Sequence, residues 1–405
     1  MKSIVKLLMA GLVATCCRIA TGRTENVNGV KWSYSNLSNH CAGVTSVDPG
    51  KKTVLEIPYM LGGRRVNQIN SGAFAECSNL VEVTIPWRVS SIGEFAFVGC
   101  SGLTHMSIPG QVRRIERATF LGCTNLATVS IRSTVTNIGA FAFADCTGLE
   151  NVTLPNNVTN LGEYAFAYCH SLEWVDISTN ITNIRKGTFE ECNSMEDVTM
   201  PDCVTNIGDR AFYDCSSITN VAIPDYVGNI GKEAFAKCIS LGDVTIPDCV
   251  TDIGDKAFCD CISLTNVIIG ANVSGLGKKA FVGCTALTAF TVSPDNKTFF
   301  EKSGMLLTNC LSDTDSIAIV ALPGGLAEVT IPDGVNQIDY DAFAGCYNLT
   351  HVTIPASVTE IALNTFADCP LESLTIAPDN PRYFVEDNYL CDRETGERYI
   401  IIDDN

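Results

Sequence analysis

Apolar residues recur along this chain with a period of 23 residues, and each period reads as one turn of a coil. Val83 to Leu103, VTIPWRVSSIGEFAFVGCSGL, shows a full unit. Val83, Thr84 and Ile85 alternate as a short strand, apolar side chains inward and the hydroxyl outward. Pro86 ends the strand, because proline has no amide to continue a ladder. Val89 and Ile92 point back to the core, Gly93 permits the turn, and Ala96 and Phe97 fill the far side.

One coil alone cannot bury so many apolar positions, but stacked coils can, in continuous columns of like residues. Cysteines at 77, 100, 123, 146, 169, 192, 215, 238, 261 and 284 keep the period, and Cys346 and Cys369 resume it. A phenylalanine stands three residues before each, among them Phe97, Phe120, Phe143 and Phe166. Cys100, Cys123, Cys146 and Cys169 therefore sit between a core Phe and a core Leu, where a thiol acts as a small buried hydrophobe. The predicted fold is an α/β-type repeat solenoid: a curved stack of about 13 coils with a parallel β-sheet. At about 4.8 Å per strand that sheet is on the order of 60 Å long.

The recurring pattern IP..V..IG..AF..C..L..V, running from Leu55 to Ile376, resembles the BspA-type leucine-rich repeats of bacterial surface and secreted proteins. The segments VNGVKW at 27–32 and IPYMLGGRRVNQI at 57–69 look like the start of such proteins. The resemblance implies a secreted or surface-displayed protein that binds other macromolecules, with no cofactor and no catalytic residues.

The period breaks between Cys284 and Cys346, which are 62 residues apart where two units take 46. The extra piece begins SPDNKTFFEKSGMLL at 293–307, and APDNPRYFVEDNYL at 377–390 repeats it. Asn296 matches Asn380, Phe300 matches Phe384 and Leu306 matches Leu390. Both read as β-hairpins. The expected organisation is a signal peptide at 1–22, an N-terminal cap at 23–52, repeats at 53–290, a hairpin insertion at 291–328, repeats at 329–376 and a hairpin cap at 377–405. The two caps cover edges that otherwise expose unpaired backbone.

The leader follows the export pattern. Lys2 and Lys6 precede an apolar run from Leu7 to Cys17, with Ala20 and Gly22 as small residues for cleavage. A lipoprotein signal ending at Cys16 is the alternative. The run is far short of the roughly 20 residues that span a bilayer, and no other stretch is long enough.

Twenty cysteines in an exported chain first suggest a disulfide framework. The columns argue instead for reduced core thiols. Cys203 and Cys249 share a column two coils apart, beyond the roughly 7 Å limit for bridging, so both should be free. Cys310 and Cys391, one in each hairpin, are the remaining candidate bridge, with free thiols the expectation. There is no CxxC pair and no companion His for a zinc set, and no hydrolase, metalloprotease or phosphate-loop motif. Neither a catalytic residue nor a metal ligand emerges.

Net charge is −18, which argues against general affinity for nucleic acid. It is unevenly spread. Residues 64–132 hold seven arginines against four glutamates, and residues 196–260 hold four cations against twelve carboxylates. Candidate partner-binding residues are Trp87, where other coils place Asp or Asn, and Trp174, standing where neighbouring coils place Asn151, Asp197 and Asn220. Phe95, Phe141 and Tyr164 share a further position that reads as exposed. Asp202, Asp225 and Asp248 form an acidic row, with Asp197 and Asp243 in a nearby column; they serve local turns, or hold a basic partner or Ca²⁺. The outward column of Thr84, Ser107, Ser130, Thr153 and their successors keeps the sheet polar or receives a ligand strand or glycan. Function reads as a non-catalytic extracellular scaffold for a protein or glycan. The alternative is a structural or self-associating surface protein, its basic end meeting the acidic middle of a neighbour.

Overall fold

The computed structural model describes residues 22–309, 316–362, 365–366 and 369–400. The residues of the expected leader, Cys16 among them, and Cys310 of the disfavoured hairpin bridge lie outside them. The chain divides into two compact units, Met1–Ser216 and Ser217–Asn405. Both are built of stacked parallel-strand turns with a period near 23 residues, about 14 in all.

In the first unit, His105–Ser107, Thr128–Ser130, Asn151–Thr153 and Trp174–Asp176 form a four-stranded parallel sheet. Registers such as Val129 on Met106 and Val152 on Val175 keep one inward residue per strand. A second row, Arg114–Ile115, Asn137–Ile138 and Asn160–Leu161, runs beside it. At the N-terminal edge, Arg23–Val27, Val30–Asn36 and Cys41–Asp48 pair antiparallel, and the last joins Arg64–Ile69 in parallel. Trp32, 1% exposed, meets Phe74 edge-on at 6.1 Å.

The far side of each coil corrects the α/β expectation: among the described residues there is no helix. Ala96, Val98 and Cys100 donate their amides to Gly93, Phe95 and Phe97, three residues back. The alternate amides, Phe95, Phe97 and Gly99, donate to Arg117, Thr119 and Leu121 of the next coil. Half the backbone is thus bonded within its own coil and half to its neighbour. A helix bonds every amide internally and forfeits that second ladder. The geometry requires left-handed backbone twice per coil, as at Phe95 (φ 58°) and Gly99 (φ 69°).

Inside, the phenylalanines form a stack. Phe97, Phe120, Phe143 and Phe166 are wholly buried, with successive centroids 5.3–5.4 Å apart and near-parallel rings. The second unit repeats this with Phe235, Phe258 and Phe281.

There the regular rows end at Ala289–Val292 and Gly275–Leu276. Phe299–Lys302 and Met305–Asn309 pair antiparallel, Ile317–Ala321 adds to them, and Gln337–Ile338 resumes the parallel row. Tyr383–Glu386, Tyr389–Asp392 and Arg398–Ile400 close the chain as an antiparallel sheet. Asn296 and Asn380 are equivalent in detail. Each Oδ1 takes the amides two and three residues on, and each Nδ2 donates to two carbonyls of the preceding coil.

Candidate functional site

The cysteine column is built into the coil. Cys100, Cys123, Cys146 and Cys169 are fully buried and free. Each thiol donates to the carbonyl of the Phe one coil earlier, Phe74, Phe97, Phe120 and Phe143, at 3.1–3.2 Å. The same carbonyl takes the amide of its own coil's Cys, as Cys100 to Phe97. A thiol is large enough to fill the column and donates where an alanine cannot. Burial pushes these thiols well above their usual range, which opposes thiolate chemistry. Cys259 lies half-buried, and burial together with the Asp260 carboxylate pushes it up to about 12. Cys203, Cys249 and Cys391 are free as well.

Trp87 is 63% exposed, with the Arg88 guanidinium 4.4 Å above its ring. Trp174 is 46% exposed on the outer face of its strand, in register with Asn151. Phe95, Phe141 and Tyr164, by contrast, are not exposed anchors. Phe95 is buried and the other two half-buried, in a satellite cluster with Val98, Leu121 and Tyr168. Left-handed backbone lays these side chains along the coil backs: Phe141 stacks on Tyr164 at 5.0 Å, and Arg117 lies over Phe95 and Phe141. Tyr164 lies so close over Gly187 that a Cβ there would meet its ring at 2.2 Å.

A buried ion pair closes that cluster. Glu190, wholly buried, takes two bonds from Arg210, Nε to Oε2 at 3.0 Å and Nη2 to Oε1 at 2.8 Å, and a third from the Tyr168 hydroxyl. Glu190 occupies a column filled elsewhere by Ala144, Ala167 and Val98. A charge in an apolar column was the signal in the sequence, and it marks a structural pair.

The candidate aspartates Asp197, Asp202, Asp225, Asp243 and Asp248 are all exposed. Asp248 does not serve its own turn: its Oδ1 takes the amide of Ala271, one coil on, at 2.7 Å. Asp243 accepts from the Thr265 hydroxyl of the next coil. Asp225 lies in the same unit and Asp197 and Asp202 in the first. Among the described residues no three His, Cys, Asp or Glu side chains gather to hold a metal ion. The outward Thr column, from Thr84 to Thr353, is solvent-exposed.

A family model described as BspA type leucine rich repeat region (6 copies) matches residues 62–173, 120–227, 182–312 and 324–392. A leucine-rich repeat protein of Bacteroides ovatus is similar at 26% identity and a TM-score of 0.67, over 84% of this chain and 91% of that one. A leucine rich cell surface protein of Faecalibacterium prausnitzii is similar at 25% identity and a TM-score of 0.58, over 88% and 95%. No curated protein matches the chain. Among the described residues no helix is long and apolar enough to cross a membrane.

Proposed function

The chain belongs to the BspA-type leucine-rich-repeat family, and from that premise we propose that it is a non-catalytic binding scaffold displayed outside the cell, recognising an extracellular protein or glycan. The observation that carries this reading is Trp174, nearly half exposed on the outer face of a four-stranded parallel sheet. An indole held by a rigid strand is the kind of aromatic anchor that dominates interface energetics. Trp87, braced by Arg88, offers a second. The buried phenylalanine, cysteine and Glu190 groups are committed to the coil itself, which supports a role without chemistry. Placement at the cell surface accords with the export pattern expected of residues 1–22 and with the likeness to the Faecalibacterium cell surface protein.

The test is binding of the full chain to cell-surface extracts and arrayed glycans, beside a Trp87→Ala, Trp174→Ala double variant. Binding by the parent that falls at least tenfold in the double variant, at unchanged melting temperature, is expected. Equal binding by both, or none by the parent, overturns the reading. Self-association is favoured by the opposed charges of residues 64–132 and 196–260. It predicts oligomers that dissociate as salt screens those charges.

A further inference from the structure

In the second unit the coil ladder stops before the chain does. Through the regular rows each coil's carbonyls receive the next coil's amides: Thr251 takes Gly275, and Ile253 takes Gly277. Ser274 and Leu276 are the next acceptors in that series. The Gly275–Leu276 strand is the edge of its sheet, and no described group donates to either carbonyl. On the coil back the break repeats. Lys256 and Phe258 donate to Lys278 and Ala280, yet the amides of Lys279 and Phe281 find no described acceptor.

The reason is the insertion. Its hairpin takes the place of a regular second strand, and the parallel row is rejoined only by Ile317–Ala321, which pairs with Gln337–Ile338. The walls meet at the base, where Gly324 and Gly345 come against Cys284 and Val282 so closely that added Cβ atoms would lie 2.8 and 2.5 Å away. Above the base they part, leaving an open cleft of about 780 Å³ lined by Leu276, Lys278, Phe299, Val320, Asp339 and Tyr340. Lys279 and Asp341 form an ion pair at 3.7 Å within it. Lys278 is exposed, and no described carboxylate pairs with it.

Polar backbone groups left unpaired at a sheet edge are a template for an added strand. We propose that this cleft binds one extended segment of a partner polypeptide, laid parallel to Gly275–Leu276, its amides meeting the Ser274 and Leu276 carbonyls and an acidic side chain meeting Lys278. The proposal rests on the reading of the chain as a binding scaffold, and assigns it a peptide ligand. The ladder itself defines the complement. Segment 156–163, NNVTNLGE, donates from Thr159 and Gly162 to Thr136 and Ile138, which are the equivalents of Ser274 and Leu276. In the same register Glu163 falls opposite Lys278.

The probe is therefore a fluorescent NNVTNLGE peptide titrated onto the full chain, beside the same peptide N-methylated at the Thr and second Gly-side amides, those of positions 159 and 162. Saturable binding is expected, weakened about tenfold or more by methylation, the scale of two lost hydrogen bonds. Lys278→Glu, an exposed change that leaves the fold intact, should weaken it two- to fivefold, as about 1 kcal/mol or less for an exposed pair implies. No saturable binding of the unmodified peptide, or equal binding of the methylated one, overturns the proposal. Capture of surface ligands through the tryptophans is measured separately, so the cleft can fail while the scaffold reading stands.

Discussion

The regular stack of the first unit and the interrupted stack of the second use the same residues to different effect. Around Phe143 and Phe166 every coil is followed by another, so each far-side amide, each second-row carbonyl and each thiol has a partner already in place. Around Phe281 the next regular coil is missing, and the same backbone groups face an open cleft. The rings report the change as well. Phe166 lies face to face between Phe143 and Phe189, at 5.3 and 5.9 Å, whereas Phe281 turns edge-on to Phe290 and Phe343 edge-on to Phe366. A repeat is completed by its neighbour, so the place where a neighbour is withheld is where the chain has binding capacity left over.

The largest expected effect is a loss of stability at high pH. Unfolded thiols ionise at about 8.5, while burial holds Cys100, Cys123, Cys146 and Cys169 protonated. Above that pH the unfolded chain binds fewer protons than the folded one, so stability falls as pH rises. By pH 10 each such thiol contributes about 2 kcal/mol of destabilisation. Urea midpoints at pH 7 and 10 check this; equal midpoints would mean the thiols are accessible or bridged.

Next is the pair of ring truncations. Phe166→Ala should cost roughly 3–5 kcal/mol, felt mainly in its own and adjacent coils. Phe343→Ala should cost less by about 0.5–1.5 kcal/mol, the value of a stacked aromatic partner. Thermal unfolding of the two variants decides it, and a larger loss at Phe343 would reverse the comparison. Arg210→Ala should follow, at about 3 kcal/mol, because it strands the Glu190 carboxylate in the interior. Adding Glu190→Gln to that variant should restore part of the loss, measured as a rise in melting temperature. The smallest effect is at Lys256, exposed and held at φ 55°. Lys256→Gly relieves left-handed strain and should stabilise by about 1 kcal/mol or less; a lowered melting temperature would show that the strain is absent.

The stacking direction was legible in the sequence because it is a matter of period: the Phe, Cys and strand positions all follow from 23-residue spacing. Bonds made between coils were not. The thiol donation from Cys146 to Phe120 and the Asp248 bond to Ala271 join residues 26 and 23 positions apart, and nothing within one coil distinguishes them from packing or from a local turn. Hydrophobic alternation places Phe95, Phe141 and Tyr164 outward because it says nothing about a left-handed φ, which lays a side chain flat. The Trp87 and Trp174 positions were legible because each breaks a polar column.

Counting thiols tests most directly the claim that the repeat columns are spent on the coil and leave recognition to the surface. The full chain is alkylated without reductant, first native at neutral pH and then in denaturant, with mass spectrometry of the peptides. The ladder cysteines, Cys100, Cys123, Cys146 and Cys169 among them, should resist labelling in the native protein and label fully once unfolded, while exposed Cys249 labels in both. Ladder cysteines that label in the native state, or that stay blocked as disulfides in denaturant, would contradict the account.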